Sequence, residues 1–418
     1  MSKLIIEGGH RLSGSIQVQG AKNSVLPVLA GALLCVGTSE IHNCPKISDV
    51  EVSLRILEGL GCKCKREEDA FIIDASAPDR YEIPDELMRE MRSSVVFLGA
   101  ILGRFGKAVI SSPGGCELGP RPIDLHLSAL RRMGVEITED HGCLYCCAPH
   151  GILGAEIQLS FPSVGATENI ILAAATANGK TVIHNAAKEP EISDLADFLN
   201  SAGAKIYGCG SDTVEIYGVK KLNGACHSII PDRIAALTYL CAAAMTSGEI
   251  TLENIMPSHL VPMLSLLREA GCELEVHGKT LRLNAPHRLH RVPTVRTLVY
   301  PGFPTDAGPP VIAMLSLARG TSVFVENIFE NRYRYIDELN RLGAKIKTEG
   351  KVAVIEGVDQ LSCAKCSCTD LRGGAALVCA ALAASGETEI DNIYHIQRGY
   401  ENIKQNLLRL GGVVRLSE

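Results

Sequence analysis

The chain repeats itself six times, and any fold it adopts must accommodate six copies of one unit of about 70 residues. A segment that begins with Gly and reaches an apolar residue four positions later occurs as GTSEIHN at 37, GKAVISS at 106, GKTVIHN at 179, GEITLEN at 248, GTSVFVEN at 320 and GETEIDN at 386, at intervals of 66 to 73 residues. A second marker, Leu-x-x-x-Gly, follows each by 23 to 28 residues and ends at Gly61, Gly134, Gly203, Gly271, Gly343 and Gly411. Solenoid repeats also recur, but in shorter units of ~20–50 residues.

Ahead of each first marker lies an apolar run of helical length: VLPVLAGALLC, VVFLGAILGRF, NIILAAATAN, AALTYLCAAAMTS, PPVIAMLSLA and AALVCAALAA. Their Ala and Leu content predicts helices buried nearly all round. The marker glycine is expected to cap that helix at its C-terminus, and the alternation behind it reads as a strand. Leu-x-x-x-Gly closes a second, amphipathic helix, as in DLADFLNSAGAKI from 194 to 206. Each repeat is thus mixed α/β. A chain of 418 residues exceeds one ordinary core, so two domains of three repeats with pseudo-threefold symmetry are expected. Length alone would place the division at the midpoint.

Counting back 14 to 16 residues from the six marker glycines gives Lys22, Arg92, Ser163, Arg233, Asp306 and Arg372. None is apolar, and each stands where a buried helix should begin. Helix N-termini present free N–H groups and favour anions. A cap or a surface salt bridge explains any one of these residues; six equivalent positions point to a shared polar face. A net charge of −6, no Trp and 4% aromatic residues argue against nucleic acid as a partner. Apolar runs stay short of the ~20 residues that span a bilayer, and MSKLIIEGGH has no signal-peptide pattern, so a cytoplasmic location without a membrane partner is expected.

In such a compartment the 16 Cys stay reduced. The groups Cys143, Cys146, Cys147 and Cys363, Cys366, Cys368 have the look of zinc ligands, but their alternating surroundings read as strands, and no metal is expected. Cys116 differs, lying in SSPGGCELGPRPIDLH from 111 to 126, where Pro113, Gly114 and Gly115 forbid regular structure. A loop thiol near Arg121 could serve as nucleophile or proton donor, or be an incidental exposed cysteine.

The motifs GAKNSVLP at 20, PGGCELGPRPIDLH at 113, PSVGATENI at 162, EPEISDLADFLN at 189, PDRI at 231, YPGFPTD at 300, VFVENIFENRY at 323, TDLR at 369 and YHIQRGYE at 394 together resemble the UDP-N-acetylglucosamine 1-carboxyvinyltransferase family along the whole chain. The resemblance implies two inside-out α/β barrel domains of three repeats each, one formed by residues 21–230 and the other by 1–20 with 231–418, with the active site in the cleft between them. It implies transfer of the enolpyruvyl group of phosphoenolpyruvate to a hydroxyl of UDP-N-acetylglucosamine, in peptidoglycan synthesis, without metal or organic cofactor.

By the same resemblance, Lys22, Arg121 and Arg398 hold the phosphate and carboxylate of phosphoenolpyruvate, with Arg92 and Arg372 adding positive charge. Asn23, Arg121, Pro122, Ile123, Asp124, Leu125, Ser163, Val164, Gly165, Asp306 and Ile328 bind the nucleotide-sugar. Asp306 is the implied base at the acceptor hydroxyl, and Cys116 the acid that protonates the methylene carbon.

Several positions depart from the family pattern: Lys188 for Arg, Ala235 and Leu237 for Glu and Gly, and Gly308-Pro309-Pro310 after PTDA. They raise the alternative of a specialised or catalytically silent copy that binds nucleotide-sugar. The shikimate-pathway enolpyruvyl transferase is a further alternative, but it has a Gly-Ser-Lys-Ser type opening instead of GAKN and no PGGC-like loop.

Overall fold

The computed structural model describes residues 3–68, 70–111 and 123–417. They divide into two compact units, residues 20–111 with 123–230 and residues 3–19 with 231–417. The first unit carries α1 (Lys22–Ala32), α2 (Ser48–Gly59), α3 (Asp85–Glu90), α4 (Phe97–Phe105), α5 (Asp124–Arg132), α6 (Val164–Ala174) and α7 (Pro190–Ser201). The second carries α8 (Arg233–Met245), α9 (Val261–Glu269), α10 (Gly308–Leu315), α11 (Ile336–Arg341), α12 (Leu371–Ala383), α13 (Tyr394–Gln397) and α14 (Ile403–Arg409).

Each unit is inside-out, with helices at its centre and sheets outside. Every residue of α8 and α10 is buried, and α8, α10 and α12 pack on one another. Ala and Gly make this possible because they let backbones approach. A Cβ at Gly99 on α4 would lie 2.2 Å from the Asn169 carbonyl oxygen on α6, so no larger residue fits that crossing. The large side chains fill what remains. Leu29, Leu102 and Leu172 are fully buried, and each contributes about 1.5–3 kcal/mol.

Three sheets surround the helical centre of the second unit, and they share one strand order. In the second unit, Thr294–Arg296 runs parallel to Thr321–Val325, which pairs antiparallel with Val352–Glu356 and then Lys345–Glu349. The sheet of Ser13–Gln17, Glu249–Glu253, Thr280–Asn284 and Glu273–His277 repeats that order. In the third sheet, Lys365–Ser367 and Glu387–Asp391 are followed by Lys3–Glu7 and Val413–Ser417, so a strand from the start of the chain completes the last repeat.

In the first unit two sheets keep that order, a third consists of Lys107–Ser111, Cys143–Cys147 and Glu136–Asp140, and Leu222–Asn223 pairs with Cys35–Val36. Cys226–Ser228 runs parallel to Thr38–His42, although the chain goes on from it into α8. Ser13–Gln17 leads into α1, yet it pairs with Glu249–Glu253. Each edge strand therefore belongs to the unit in which it pairs, which is why the units divide near residues 20 and 230 and not at the midpoint.

The expected role of the first marker glycine needs correction. Gly106 alone among the six directly caps its buried helix, at φ 68°. The other buried helices end several residues earlier, and beside Gly248 the left-handed residue is Ser247, at φ 50°. Capping belongs to the second marker. Gly61, Gly134, Gly203, Gly271, Gly343 and Gly411 all have positive φ and all follow a helix C-cap residue. At Gly61 the amide donates to the Glu58 carbonyl at 3.0 Å while Cys62 N donates to Leu57 O at 2.9 Å, the paired bonds of a Schellman turn. The same two bonds recur at the other five.

Of the cysteine groups read as strands, the first is one, whereas in the second only Cys366 falls in a strand and Cys363 and Cys368 lie outside it. Cys146 points inward from Cys143–Cys147 while Cys143 and Cys147 face outward, and Cys366 lies in Lys365–Ser367. Pro309 and Pro310 fall in the first turn of α10, where their missing N–H groups leave no helical bond unmade. Ala235 and Leu237 are fully buried in α8.

Candidate active site

The six polar positions counted from the sequence all stand at the heads of buried helices. Lys22 and Arg233 are the first residues of α1 and α8, and Arg92 opens the 3-10 turn Arg92–Val96 that runs into α4. Ser163 is the N-cap of α6 and accepts from Ala166 N at 3.3 Å. Asp306 lies in the 3-10 turn Thr305–Ala307 before α10, and Arg372 in the first turn of α12, capped by Asp370.

In the first unit one amide joins these turns. Asn169 of α6 accepts from Gly99 N at 2.6 Å and donates to His126 Nδ1 at 2.9 Å, Val95 O at 3.1 Å and Gly165 O at 3.3 Å. It thereby ties the Arg92 turn to the Ser163-Val164-Gly165 turn and to α5, which begins at Asp124 and Leu125 just after Ile123. The Arg92 turn also packs against α1. Burial pushes the His126 imidazole down to about 4, against a smaller opposing pull from Asp124, so the ring is neutral and its Nδ1 accepts. Gly165 is needed beside it, because an added Cβ would sit 3.1 Å from His126 Cε1.

Lys22 is buried and its Nζ lies 2.7 Å from Asp49 Oδ2 on α2. Asn23 is half-buried next to it. Ser24 donates to Asp194, whose other oxygen lies 3.0 Å from His227 Nε2, fixing the first turn of α1 to α7. Burial, with Glu191 and Glu189 nearby, raises the Glu168 carboxyl of α6 well above the usual carboxylate range.

In the second unit the centre is Asp306. Its Oδ1 accepts from Arg332 Nη2 at 3.0 Å, and its Oδ2 from Arg372 Nε at 3.2 Å. Both guanidinium groups are buried, whereas the Asp306 side chain keeps 29% of its surface exposed. Burial alone would lower the Arg372 pKa, but Tyr400, Asp306 and Asp232 outweigh it and hold the group above its ordinary value. Arg372 Nη1 also donates to Tyr400 Oη at 3.3 Å.

Glu326, itself buried, accepts from Thr297 and Thr305 hydroxyls at 2.9 and 2.8 Å and from the Ile328 amide at 2.8 Å. One carboxylate therefore positions both the Asp306 turn and Ile328. Arg398 ends α13. Gly399 behind it lies so close to α12 that a Cβ would come within 2.7 Å of Leu371, which places Arg398 near the leading turn of α12.

Cys116, Arg121 and Pro122 lie outside the described residues. Asp49, His126, Asn169, Glu326 and Arg332 were not singled out from the sequence. All but Asp49 fall inside motifs quoted for the family resemblance, and Asp49 carries no signal beyond its place at a helix start. The arrangement offers fixed cations and helix N-termini for an oxyanion, with a partly exposed carboxylate as proton acceptor.

The family described as EPSP synthase (3-phosphoshikimate 1-carboxyvinyltransferase) matches residues 6–407. The chain is 52% identical over 417 residues to UDP-N-acetylglucosamine 1-carboxyvinyltransferase 2 of Caldanaerobacter subterraneus subsp. tengcongensis, covering 100% of both chains. It is 48% identical to UDP-N-acetylglucosamine 1-carboxyvinyltransferase 1 of Symbiobacterium thermophilum, covering 99% of this chain and 94% of that one. The crystal structure of the enolpyruvyl transferase NikO from Streptomyces tendae superposes with a TM-score of 0.89 at 26% identity, over 100% of this chain and 99% of the other. A sixfold-repeated chain with polar residues at the head of every buried helix, matched along its whole length in this way, belongs to the family of enolpyruvyl (1-carboxyvinyl) transferases.

Proposed function

We propose that the protein transfers the enolpyruvyl group of phosphoenolpyruvate to the 3-hydroxyl of UDP-N-acetylglucosamine with release of phosphate, the first committed step of peptidoglycan synthesis, and that it works in the cytoplasm. The observation that carries this reading is the Asp306 carboxylate at the head of α10, partly exposed and held by the buried guanidinium groups of Arg372, at the head of α12, and Arg332, just before α11. The names of the full-length relatives supply the acceptor and the transferred carboxyvinyl group.

In this reading Lys22, Arg121 and Arg398 hold the donor's phosphate and carboxylate, and Arg92 and Arg372 add positive charge. Asn23, the stretch from Arg121 through Pro122, Ile123 and Asp124 to Leu125, the Ser163-Val164-Gly165 turn, Asp306 and Ile328 hold the nucleotide-sugar. Cys116 protonates the methylene carbon, which makes C2 electrophilic. The acceptor hydroxyl adds to C2 and gives its proton to Asp306, forming a tetrahedral ketal. Loss of a methyl proton then expels phosphate, whose growing charge the cationic groups stabilise. These steps call for neither metal nor organic cofactor.

Phosphate release from phosphoenolpyruvate, followed with and without UDP-N-acetylglucosamine, tests the reading. Release that depends on the nucleotide-sugar is expected. Turnover only with shikimate 3-phosphate, or none with either acceptor while the nucleotide-sugar still binds, would replace it with the shikimate-pathway activity or a silent binding protein.

A further inference from the structure

The outer face of the sheet that carries Thr38–His42 holds a cluster that the proposed reaction does not use. Glu40 and His42, two positions apart on that strand, project to one side. Cys226 stands on the neighbouring parallel edge strand, directly opposite Glu40. His42 Nε2 lies 2.9 Å from Glu40 Oε1. A carboxylate oxygen, an imidazole nitrogen and the Cys226 Sγ all lie within 4.8 Å of one another, the one such group of three or more potential metal ligands among the described residues.

We propose that Glu40, His42 and Cys226 form a site for a divalent cation of the zinc class, with a fourth coordination position left to water. Around a tetrahedral zinc with bonds of about 2.0–2.3 Å, ligand atoms stand roughly 3.3–3.7 Å apart, so side-chain rotations of about 1 Å close the set. Thiolate and imidazole select zinc, cobalt or copper over magnesium and calcium, which want oxygen. The plain alternative, an exposed Glu–His ion pair, is worth about 0–1 kcal/mol and gives no reason for a thiol beside it.

The position gives the site a mechanical consequence. Cys226–Ser228 pairs with its neighbour over only three residues. It runs directly into Ile229 and Ile230, whose carbonyls accept from Asn43 Nδ2 at 2.7 Å and from Ala21 N at 2.8 Å. A bound ion ties this short edge strand to Thr38–His42, and through Ile230 it steadies the backbone just before Lys22.

Cobalt(II) titrated into the reduced, chelator-treated full-length protein tests the site. One equivalent is expected to give a thiolate-to-cobalt charge-transfer band with tetrahedral d–d bands, displaced by zinc but not by magnesium. Cys226→Ser should abolish the charge-transfer band, His42→Ala and Glu40→Gln should each weaken binding at least tenfold, and Cys363→Ser should change nothing. Zinc should also slow amide hydrogen exchange across residues 226–230. An undiminished band in Cys226→Ser, or a Cys226-dependent band whose affinity ignores both His42→Ala and Glu40→Gln, overturns the proposal.

Discussion

The two units solve the same packing problem with opposite polar chemistry. In the first, a neutral imidazole and an amide, His126 and Asn169, join the helix heads, and the buried cation Lys22 is matched by Asp49. In the second, a partly exposed anion, Asp306, is gripped by the buried guanidinium groups of Arg332 and Arg372. Duplicated folds therefore conserve backbone geometry, the six Schellman turns and the shared strand order, while the leading turns are free to diverge. The first unit presents a positioned cation and hydrogen-bonding turns; the second presents a carboxylate whose orientation depends on charge.

That contrast can be broken at several points. Arg372→Met should do the most damage, because it leaves Asp306 half-gripped and removes the guanidinium beside Tyr400; loss of a buried pair costs about 3–5 kcal/mol, toward the low end here since Asp306 is partly exposed. Denaturant melts should show that loss, and turnover should fall at least 100-fold. A variant of wild-type stability and rate would show that charge does not organise the second unit's centre.

Next comes pH. His126 has a folded pKa of about 4 against an ordinary 6.5, so the unfolded chain binds the proton first as pH falls. The stabilisation is whole above pH 6.5 and is lost as pH drops toward 4, by an amount on the order of 3 kcal/mol. His126→Gln should flatten the stability profile across that window, and an unchanged slope would mean that the ring is not neutral in the fold.

A smaller effect is expected from Asp49→Asn. It keeps the shape beside Lys22 but removes the ion pair, and kcat/KM for phosphoenolpyruvate should fall about tenfold, or 1.4 kcal/mol, with nucleotide-sugar affinity unchanged. Lys188→Arg should matter least. Lys188 Nζ sits 3.9 Å from Asp212 at the surface, and restoring the family residue should move stability and rate by less than about 0.5 kcal/mol.

What the sequence made legible was local. Buried helices announce themselves by Ala and Leu, and Leu-x-x-x-Gly marks a helix end because a left-handed residue is needed one step past the cap. The same reasoning misplaced the cap at the first marker, since a glycine followed by a strand looks alike whether it ends a helix or turns into the strand. Pairings such as Cys226 with Glu40 join residues from opposite ends of a unit and leave no periodic trace. The helix-head residues Lys22, Asp306 and Arg372 were found by counting. Their partners Asp49 and Arg332 were not, because an ion pair between two elements is set by tertiary packing.

The allocation of strands to the two units also sets an order of assembly during synthesis. Every described strand of the first unit lies between residues 20 and 230, so that unit can close before α8 leaves the ribosome. Lys3–Glu7 and Ser13–Gln17, made before that unit, must wait for Glu249–Glu253, Glu387–Asp391 and Val413–Ser417. Strands made ahead of the first unit thus find their partners after it.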